Sequence, residues 1–208
     1  MRRSRAAAWA AVAAGIVTML AATVTACAEQ PPPPTGTPPT AATSPAPEAS
    51  AAPAAPAAAV PPTGLKIDRL NLDAKVDAVG VDGKTGEFAV PPSVDVVGWY
   101  KWGPGANATA GSIVIAGHVD SAEQGRGAFF HLRDLGPGDP ITLAGADGST
   151  RRFTVTAREV YPKAKIPLER YFARDGAVRL TLITCGGPFD ASTRHYRDNV
   201  VITAQPAA

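Results

Sequence analysis

The chain has 208 residues, and its composition separates it into unequal parts before any motif is considered. Residues 28–63 hold 12 prolines and 12 alanines and no aromatic residue, so this segment cannot bury a hydrophobic core. The net charge is +2, and residues 64–208 alone carry +1, because three arginines and two glutamates precede them. This near-neutral domain has no basic stripe, which excludes a nucleic-acid interface. The whole chain has two cysteines, one of them near the N-terminus, which excludes a disulfide scaffold.

The N-terminus has the pattern of an export segment. Three arginines within the first five residues precede an uncharged apolar run, residues 6–26, which is long enough to span a bilayer. The run leads into Val24–Cys27, with the sequence VTAC, which resembles a lipobox, the bacterial site at which a cysteine is lipidated. Residues 1–27 are therefore predicted to be either a signal anchor or a lipoprotein signal. Both alternatives tether the chain to the outer side of the cytoplasmic membrane.

Residues 28–63 are predicted to be a disordered Pro/Ala-rich linker. Proline-rich chain favours extended polyproline II at about 3.1 Å per residue, so the linker reaches on the order of 110 Å at most. The remaining part, residues 64–208, has the size of one ordinary domain.

This domain is predicted to be all-β. Apolar and polar residues alternate with a period of two, as in 152–158, and turn pairs such as Asp147-Gly148 separate the alternating segments. Strands are expected near residues 65–71, 74–81, 86–90, 111–118, 139–144, 150–161, 177–185 and 199–204. Short helical windows cover 127–134 and 168–172. Many short strands with Gly/Pro turns favour a barrel or a sandwich.

The single cysteine of the domain is a candidate nucleophile. Cys185 ends the predicted strand 179–184, and we expect the strand to stop at Gly186-Gly187-Pro188. A free cysteine is often only a small buried hydrophobe. Strand ends beside glycine turns, however, are where reactive side chains emerge and backbone N–H groups are free.

Among three histidines, His118 is the candidate partner, because it follows the apolar run 113–117 at another strand-to-loop boundary. A satisfied core histidine is the alternative. His131 lies in a short helical window, where packing or surface exposure is expected, and His195 has no clear role. A metal site is not expected, because the sequence has neither C-x-x-C nor H-x-x-x-H.

A thiol and an imidazole are the minimal set for nucleophilic acyl transfer, and the oxyanion that forms needs a donor. Arg197 is the candidate donor, because it lies 12 residues after Cys185 at the start of a strand that can return antiparallel. A surface arginine is the alternative interpretation, and Arg194 is the rival donor.

Two motifs resemble those of a known family. Thr181–Cys185, TLITC, matches the sortase signature T-L-x-T-C, and Gly117–Asp120, GHVD, resembles the sortase histidine motif. The resemblance runs from about residue 65 to residue 204. The sequence RDNVV from Arg197 is most similar to class F sortases of Gram-positive bacteria with GC-rich genomes. In several other classes the arginine occupies the position of Asn199, two residues further along the same strand face.

The resemblance implies an eight-stranded sortase-type β-barrel with short helices and a membrane-tethered cysteine transpeptidase that uses no cofactor. Cys185, His118 and Arg197 would be catalytic, and Thr181 and Thr184 would bind substrate. The enzyme would cleave an LPxTG-like sorting signal between Thr and Gly and form a thioacyl intermediate. The acyl group would then pass to an amine of peptidoglycan or pilin. The expected partners are exported proteins with C-terminal sorting signals.

Two other interpretations stay open. An L,D-transpeptidase, or another secreted Cys/His peptidase, would also use a cysteine and a histidine, although the S-H-G-C-x-R sequence typical of L,D-transpeptidases is absent. A non-catalytic wall-binding β-module would make Cys185 and His118 incidental. Fast thiol labelling of Cys185 would favour an enzyme over this module.

Overall fold

The computed structural model describes residues 58–83 and 88–208. The predicted export segment and residues 28–57 of the linker lie outside the described residues. The ten strands of the described chain are β1 (Pro62–Ile67), β2 (Leu72–Val79), β3 (Val97–Tyr100), β4 (Ser112–Ala116), β5 (Asp120–Ser121), β6 (Gly125–Arg126), β7 (Pro140–Gly145), β8 (Thr150–Pro162), β9 (Arg179–Asp190) and β10 (His195–Pro206). One short helix, α1, covers Leu168–Tyr171, and 3-10 turns cover Asp68–Leu70, Leu132–Asp134 and Lys163–Lys165.

Eight of these strands close into a barrel in the order β1-β2-β3-β4-β9-β10-β8-β7. The β2–β3 and β4–β9 pairs are parallel, and the other pairs are antiparallel. Strands β5 and β6 form a separate two-stranded hairpin after β4. The prediction of an all-β chain with an eight-stranded barrel and short helices is confirmed.

The barrel interior is filled by every second residue of its strands, as the period of two predicts. On β9, Leu180 and Leu182 are fully buried, and on β4 Ile113 and Ile115 are fully buried. Burying an aliphatic side chain of this size contributes roughly 1.5–3 kcal/mol. The intervening residues of β4 and β9 lie on the outer face of the barrel, and this face carries Cys185.

The third barrel strand differs from the prediction. The expected strand 86–90 lies partly outside the described residues, and its described part contributes only an isolated bridge between Phe88 and Val81. The barrel instead takes Val97–Tyr100, which pairs with β2 and β4. Four residues that include a glycine give too short an alternation to be recognised as a strand.

Strand β9 also continues past the point where we expected it to stop. It passes through Cys185 and the Gly-Gly-Pro segment to Asp190, and it pairs with β10 over this extension. A register shift between Tyr196 and Asp198 absorbs the extra residue, and Gly187 adopts a φ of +73°. A β-carbon on Gly187 would overlap the Asp198 carboxylate, so this bulge requires glycine.

The boundaries of the first strand are shifted as well. β1 begins at Pro62, two residues before the predicted domain boundary, and it ends at Ile67 rather than at residue 71. A 3-10 turn follows, and Asn71 adopts a left-handed φ of 50° that reverses the chain into β2. Asparagine tolerates this conformation better than most residues.

A polar network fastens the connection between β8 and β9. The Tyr171 hydroxyl lies 2.7 Å from Glu159 Oε2 and 3.0 Å from the Tyr161 hydroxyl, and Tyr161 donates to Glu159 Oε1 at 2.8 Å. Arg170 adds an ion pair to Glu159 at 3.1 Å. Burial opposes ionisation of Glu159, but the hydroxyls of Tyr171 and Tyr161 and the Arg170 charge outweigh it and lower its pKa. We call these four residues the Glu159 network.

Candidate active site

Cys185 lies on the outer face of the barrel wall. Its direct cross-strand partner is Asn199 of β10, so these two side chains share a face. Strand alternation places Ile183 on the same face and Thr184 on the opposite one. The Cys185 side chain is partly exposed and forms no disulfide.

Cys185 borders a large apolar groove of about 590 Å³. The outer faces of β4 and β9 form one side of the groove, and the β2–β3 and β8–β9 connections form its walls. Its lining residues include Phe88, Val90, Val114, Ala116, Ile166, Leu168, Phe172, Ile183, Cys185 and Asn199. This volume lies within the range of small-ligand and peptide sites. We call this cavity the apolar groove.

The same cysteine borders a second, smaller cavity of about 40 Å³. Val119, Phe129, Phe130, Arg133, Thr184, Cys185, Gly186, Gly187, Tyr196 and Val200 line it. The thiol therefore lies between an apolar groove and a small cavity whose lining includes a cation and a phenol. We call this second cavity the small pocket.

One backbone and one side-chain hydrogen bond hold the His118 segment beside Cys185. Gly117 N–H donates to the Ile183 carbonyl at 3.1 Å, and the Thr184 hydroxyl donates to the Gly117 carbonyl at 2.8 Å. A β-carbon on Gly117 would lie 2.8 Å from the Phe129 ring, so glycine permits this approach. The neighbours of His118 contact both cavities that Cys185 borders, Gly117 at the apolar groove and Val119 at the small pocket. The structure thus brings the two predicted catalytic segments together.

The hydrogen bond of His118 determines its tautomer. Its Nε2 lies 2.9 Å from the Pro91 carbonyl oxygen. A carbonyl only accepts, so Nε2 carries the proton of this bond and Nδ1 is left for another partner. Pro91 follows Val90, which lines the apolar groove, so one segment forms a groove wall and orients the histidine.

Arg197 lies in β10 but lines neither cavity. Its side chain is 66% exposed, and its Nη2 forms an ion pair with Asp190 Oδ2 at 3.2 Å. The Ser192 hydroxyl and amide, followed by Arg197, lower the pKa of Asp190 to about 2. Arg194, the rival donor, lies in the β9–β10 turn with a φ of 56° and is exposed.

The two threonines assigned to substrate binding have different surroundings. Thr181 is fully buried, and its hydroxyl is 2.8 Å from the Ser112 hydroxyl. Its side chain faces Ser112 of β4, and its role in substrate binding stays a prediction. Thr184 is also buried, and its hydroxyl donates a hydrogen bond to the Gly117 carbonyl, but it lines both cavities.

Two residues that the sequence analysis did not single out lie at the thiol. Arg133 and Tyr196 line the small pocket with Cys185, and Tyr196 donates a hydrogen bond of 2.5 Å to Asp120 Oδ2. That bond, followed by burial and the Asp120 charge, raises the pKa of Tyr196, and the Arg133 charge opposes them. Asp120 was visible as the last residue of GHVD. Arg133 gave no sequence signal, because it belongs to neither motif and lies in the 3-10 turn Leu132–Asp134, far from Cys185 in sequence.

Residues 58–83 and 88–208 contain no group of three or more His, Cys, Asp or Glu side chains placed to hold a metal ion. No helix in the same part is long and apolar enough to cross a bilayer.

A family model for the sortase domain matches residues 65–207. The chain belongs to the sortase family. No curated protein sequence matches it.

Solved structures of sortases have the same fold. Sortase A from Corynebacterium diphtheriae, a lid mutant, is 20% identical with a TM-score of 0.53, over 70% of this chain and 69% of that one. Sortase C1 from Streptococcus suis is 15% identical with a TM-score of 0.55, over 71% and 74%. Sortase C from Clostridium perfringens SM101 is 14% identical with a TM-score of 0.50, over 70% and 68%. At these identities the likeness concerns the fold.

Proposed function

We propose that this sortase is a class F-like cysteine transpeptidase that cleaves an LPxTG-like sorting signal and transfers the product to an amine. The observation that carries the proposal is the position of the TLITC cysteine, which is partly exposed between an apolar groove and the His118 segment. The RDNVV sequence from Arg197 supports the class F assignment. The apolar groove suits the leucine and proline of such a signal.

The first half-reaction acylates the enzyme. The Cys185 thiolate attacks the carbonyl carbon of the signal's threonine, and the carbonyl electron pair moves onto oxygen. When the carbonyl reforms, the C–N bond to glycine breaks, and protonated His118 gives its Nδ1 proton to the departing amine. A thioester between Cys185 and the threonine remains.

The second half-reaction transfers the acyl group. The amine of the acceptor attacks the thioester carbon, and neutral His118 accepts the proton that the amine loses. Collapse of this second tetrahedral intermediate expels the Cys185 thiolate and leaves an amide. The proposed acceptor is an amine of the peptidoglycan or pilin type.

Arg197 is the proposed donor to the oxyanion of both intermediates. Its guanidinium is held by Asp190 in the free enzyme, so it must turn from this carboxylate when the oxyanion develops. The Asp190 pair keeps the charge near the β9–β10 end of the site before substrate binds.

The proposed location is the outer side of the cytoplasmic membrane. Residues 1–27, as a signal anchor or as a lipoprotein signal ending at Cys27, would hold the enzyme where exported proteins emerge. The mass of the mature protein separates these alternatives, because only lipidation begins the chain at Cys27. Retention of the full N-terminus would remove the lipoprotein alternative, and recovery only from culture medium would contradict tethering.

The catalytic proposal is tested by incubating the protein with LPxTG-type peptides and triglycine. Mass spectrometry should detect the N-terminal peptide fragment on Cys185 as a thioester and the same fragment joined to triglycine. Cys185→Ala should give neither species.

The two alternatives predict different results. An L,D-transpeptidase would form its adduct with a tetrapeptide that contains D-amino acids, not with LPxTG peptides. A non-catalytic module would give no adduct and a Cys185 that reacts no faster with iodoacetamide than an ordinary thiol.

A further inference from the structure

We propose that Tyr196 is a positioning residue for the transpeptidation: its hydrogen bond to Asp120 fixes the His118 segment against the Arg197 segment across Cys185. This inference rests on the proposed function. Its basis is a single long-range contact, the 2.5 Å hydrogen bond from the Tyr196 hydroxyl to Asp120 Oδ2.

The contact joins the two segments that flank the thiol. Asp120 is two residues after His118, at the start of β5, and Tyr196 directly precedes Arg197 in β10. In the barrel order β9 lies between β4 and β10. Because β4 leads into the histidine loop, the Tyr196–Asp120 bond reaches across the β9 strand that carries Cys185.

The surroundings of Tyr196 agree with a link across the thiol. Tyr196 lines the small pocket together with Cys185 and Gly187. Its ring packs edge-on against Phe189 of β9, with the ring centroids 5.2 Å apart. The hydroxyl is thus aimed at Asp120 by a ring that its neighbour holds in place.

The Tyr196–Asp120 hydrogen bond restrains the β9–β10 extension. Beyond Cys185 the ladder is interrupted by the bulge at Gly187, and Gly187 and Phe189 are exposed. Backbone pairing therefore constrains this end of the hairpin less than it constrains the barrel wall. A side-chain hydrogen bond from Tyr196 to Asp120, in the His118 loop, supplies the missing constraint.

The link predicts an effect on turnover rather than on peptide binding. The apolar groove does not include Tyr196 or Asp120 among its lining residues. Loss of the link lets the Arg197 and His118 segments separate, and misplacing a catalytic group by about 1 Å can cost roughly 100-fold. We expect Tyr196→Phe to lower kcat for triglycine transfer by about 10- to 100-fold, with KM for the peptide within about twofold of its original value.

Variants of Asp120 separate positioning from charge. Asp120→Asn keeps an oxygen that can accept from Tyr196, so its kcat should stay within about threefold of the original value. In Asp120→Ala, kcat should fall as far as it does in Tyr196→Phe. The double variant Tyr196→Phe/Asp120→Ala should be no worse than either single variant, because both remove one contact. Asp77→Ala, which breaks the exposed Lys75–Asp77 ion pair of β2, is the control and should leave kcat unchanged.

Thermal unfolding of each variant establishes that the fold is retained. A kcat for Tyr196→Phe within twofold of the original enzyme would overturn the positioning role. The role would also be overturned if the kcat losses of Tyr196→Phe and Asp120→Ala multiplied in the double variant. A kcat for Asp120→Asn as low as that of Asp120→Ala would overturn it too. Failure of the original enzyme to form the thioester would instead contradict the proposed function, so the two failures are distinguishable.

Discussion

The Glu159 network and the surroundings of Cys185 both use polar side chains on neighbouring strands, but they use them in opposite ways. In the network, both Glu159 oxygens have partners, and the Tyr171 hydroxyl lies within 3.0 Å of two groups. At the site, the Cys185 thiol makes no hydrogen bond to any residue in 58–83 or 88–208, and the His118 ring has one partner there, the Pro91 carbonyl. Satisfied polar groups hold a structure in place, whereas uncommitted ones remain available for reaction.

The two regions meet at the apolar groove. The Glu159 network fastens the β8–β9 connection, and this connection supplies Ile166, Leu168 and Phe172 to the groove. A rigid wall therefore faces a thiol that is free to react. The comparison predicts that changes at the site lower turnover with little effect on stability, and that changes in the network do the reverse.

The largest expected effect comes from removing the thiol. Cys185→Ala should abolish peptide cleavage, because no other group on this face can form the thioester. The thiol is partly exposed and makes no hydrogen bond to a described residue, so its loss removes little packing. Circular dichroism and a thermal melt within about 2 °C of the original protein would show that the fold persists. Residual transfer of the peptide fragment to triglycine in this variant would contradict the comparison.

The next effect concerns the arginine. Arg197→Ala should lower kcat by about 10²–10³-fold if Arg197 donates to the oxyanion, and Arg197→Lys should recover little because lysine lacks the planar fork. Arg194→Ala is the matched control in the same hairpin and should keep near-full activity. Single-turnover rates of thioester formation measure the effect.

The arginine prediction has a specific competitor. Arg133 lines the small pocket beside the thiol, whereas Arg197 lines neither cavity. If Arg133→Ala loses more turnover than Arg197→Ala, the oxyanion donor comes from the 3-10 turn after His131 and not from β10.

Much of the fold could be predicted from alternation alone. Segments such as β8 and β4 combine a clear period of two, or a continuous apolar run, with glycine turns. The strand β3 was missed because four residues carry no measurable period. The extension of β9 was missed because glycine and proline usually end a strand, while here the β10 partner and the Gly187 bulge keep the ladder going.

The site was predictable where it depends on short motifs and not where it depends on barrel closure. TLITC and GHVD singled out Cys185 and His118 as candidates, and hydrogen bonds of Gly117 to Ile183 and Thr184 hold those segments together. The Tyr196–Asp120 bond joins residues 76 apart in sequence, and no local pattern encodes such a contact. The burial of Thr181 could likewise not be predicted, because the motif alone does not indicate whether its threonine faces a substrate or Ser112.

A smaller effect, on the free energy of unfolding, is expected from a substitution in the Glu159 network. Tyr171→Phe removes a hydroxyl from a carboxylate whose side chain is 28% exposed, so water replaces part of the lost bond. The free energy of unfolding should fall by about 1–3 kcal/mol, as for other hydrogen bonds to charged groups. Urea unfolding measures this change, and peptide kinetics should show KM rising more than kcat falls. A drop in kcat at unchanged stability would contradict the division of roles between the two regions.

The smallest expected effect is the acid dependence of Asp190, whose carboxylate is held first by the Ser192 hydroxyl and amide and then by Arg197. The pKa of Asp190 lies near 2, below its unfolded value, so its contribution to stability is present above pH 4 and disappears as the pH falls toward 2. Asp190→Asn lacks this contribution, and every other carboxyl group is common to both proteins. The difference in melting temperature between the two should therefore shrink from pH 5 to pH 2, and it should be small throughout because an exposed pair is screened by solvent and salt. A difference that is constant over this range would mean that the Ser192 and Arg197 contacts do not favour the ionised form of Asp190 in the folded enzyme.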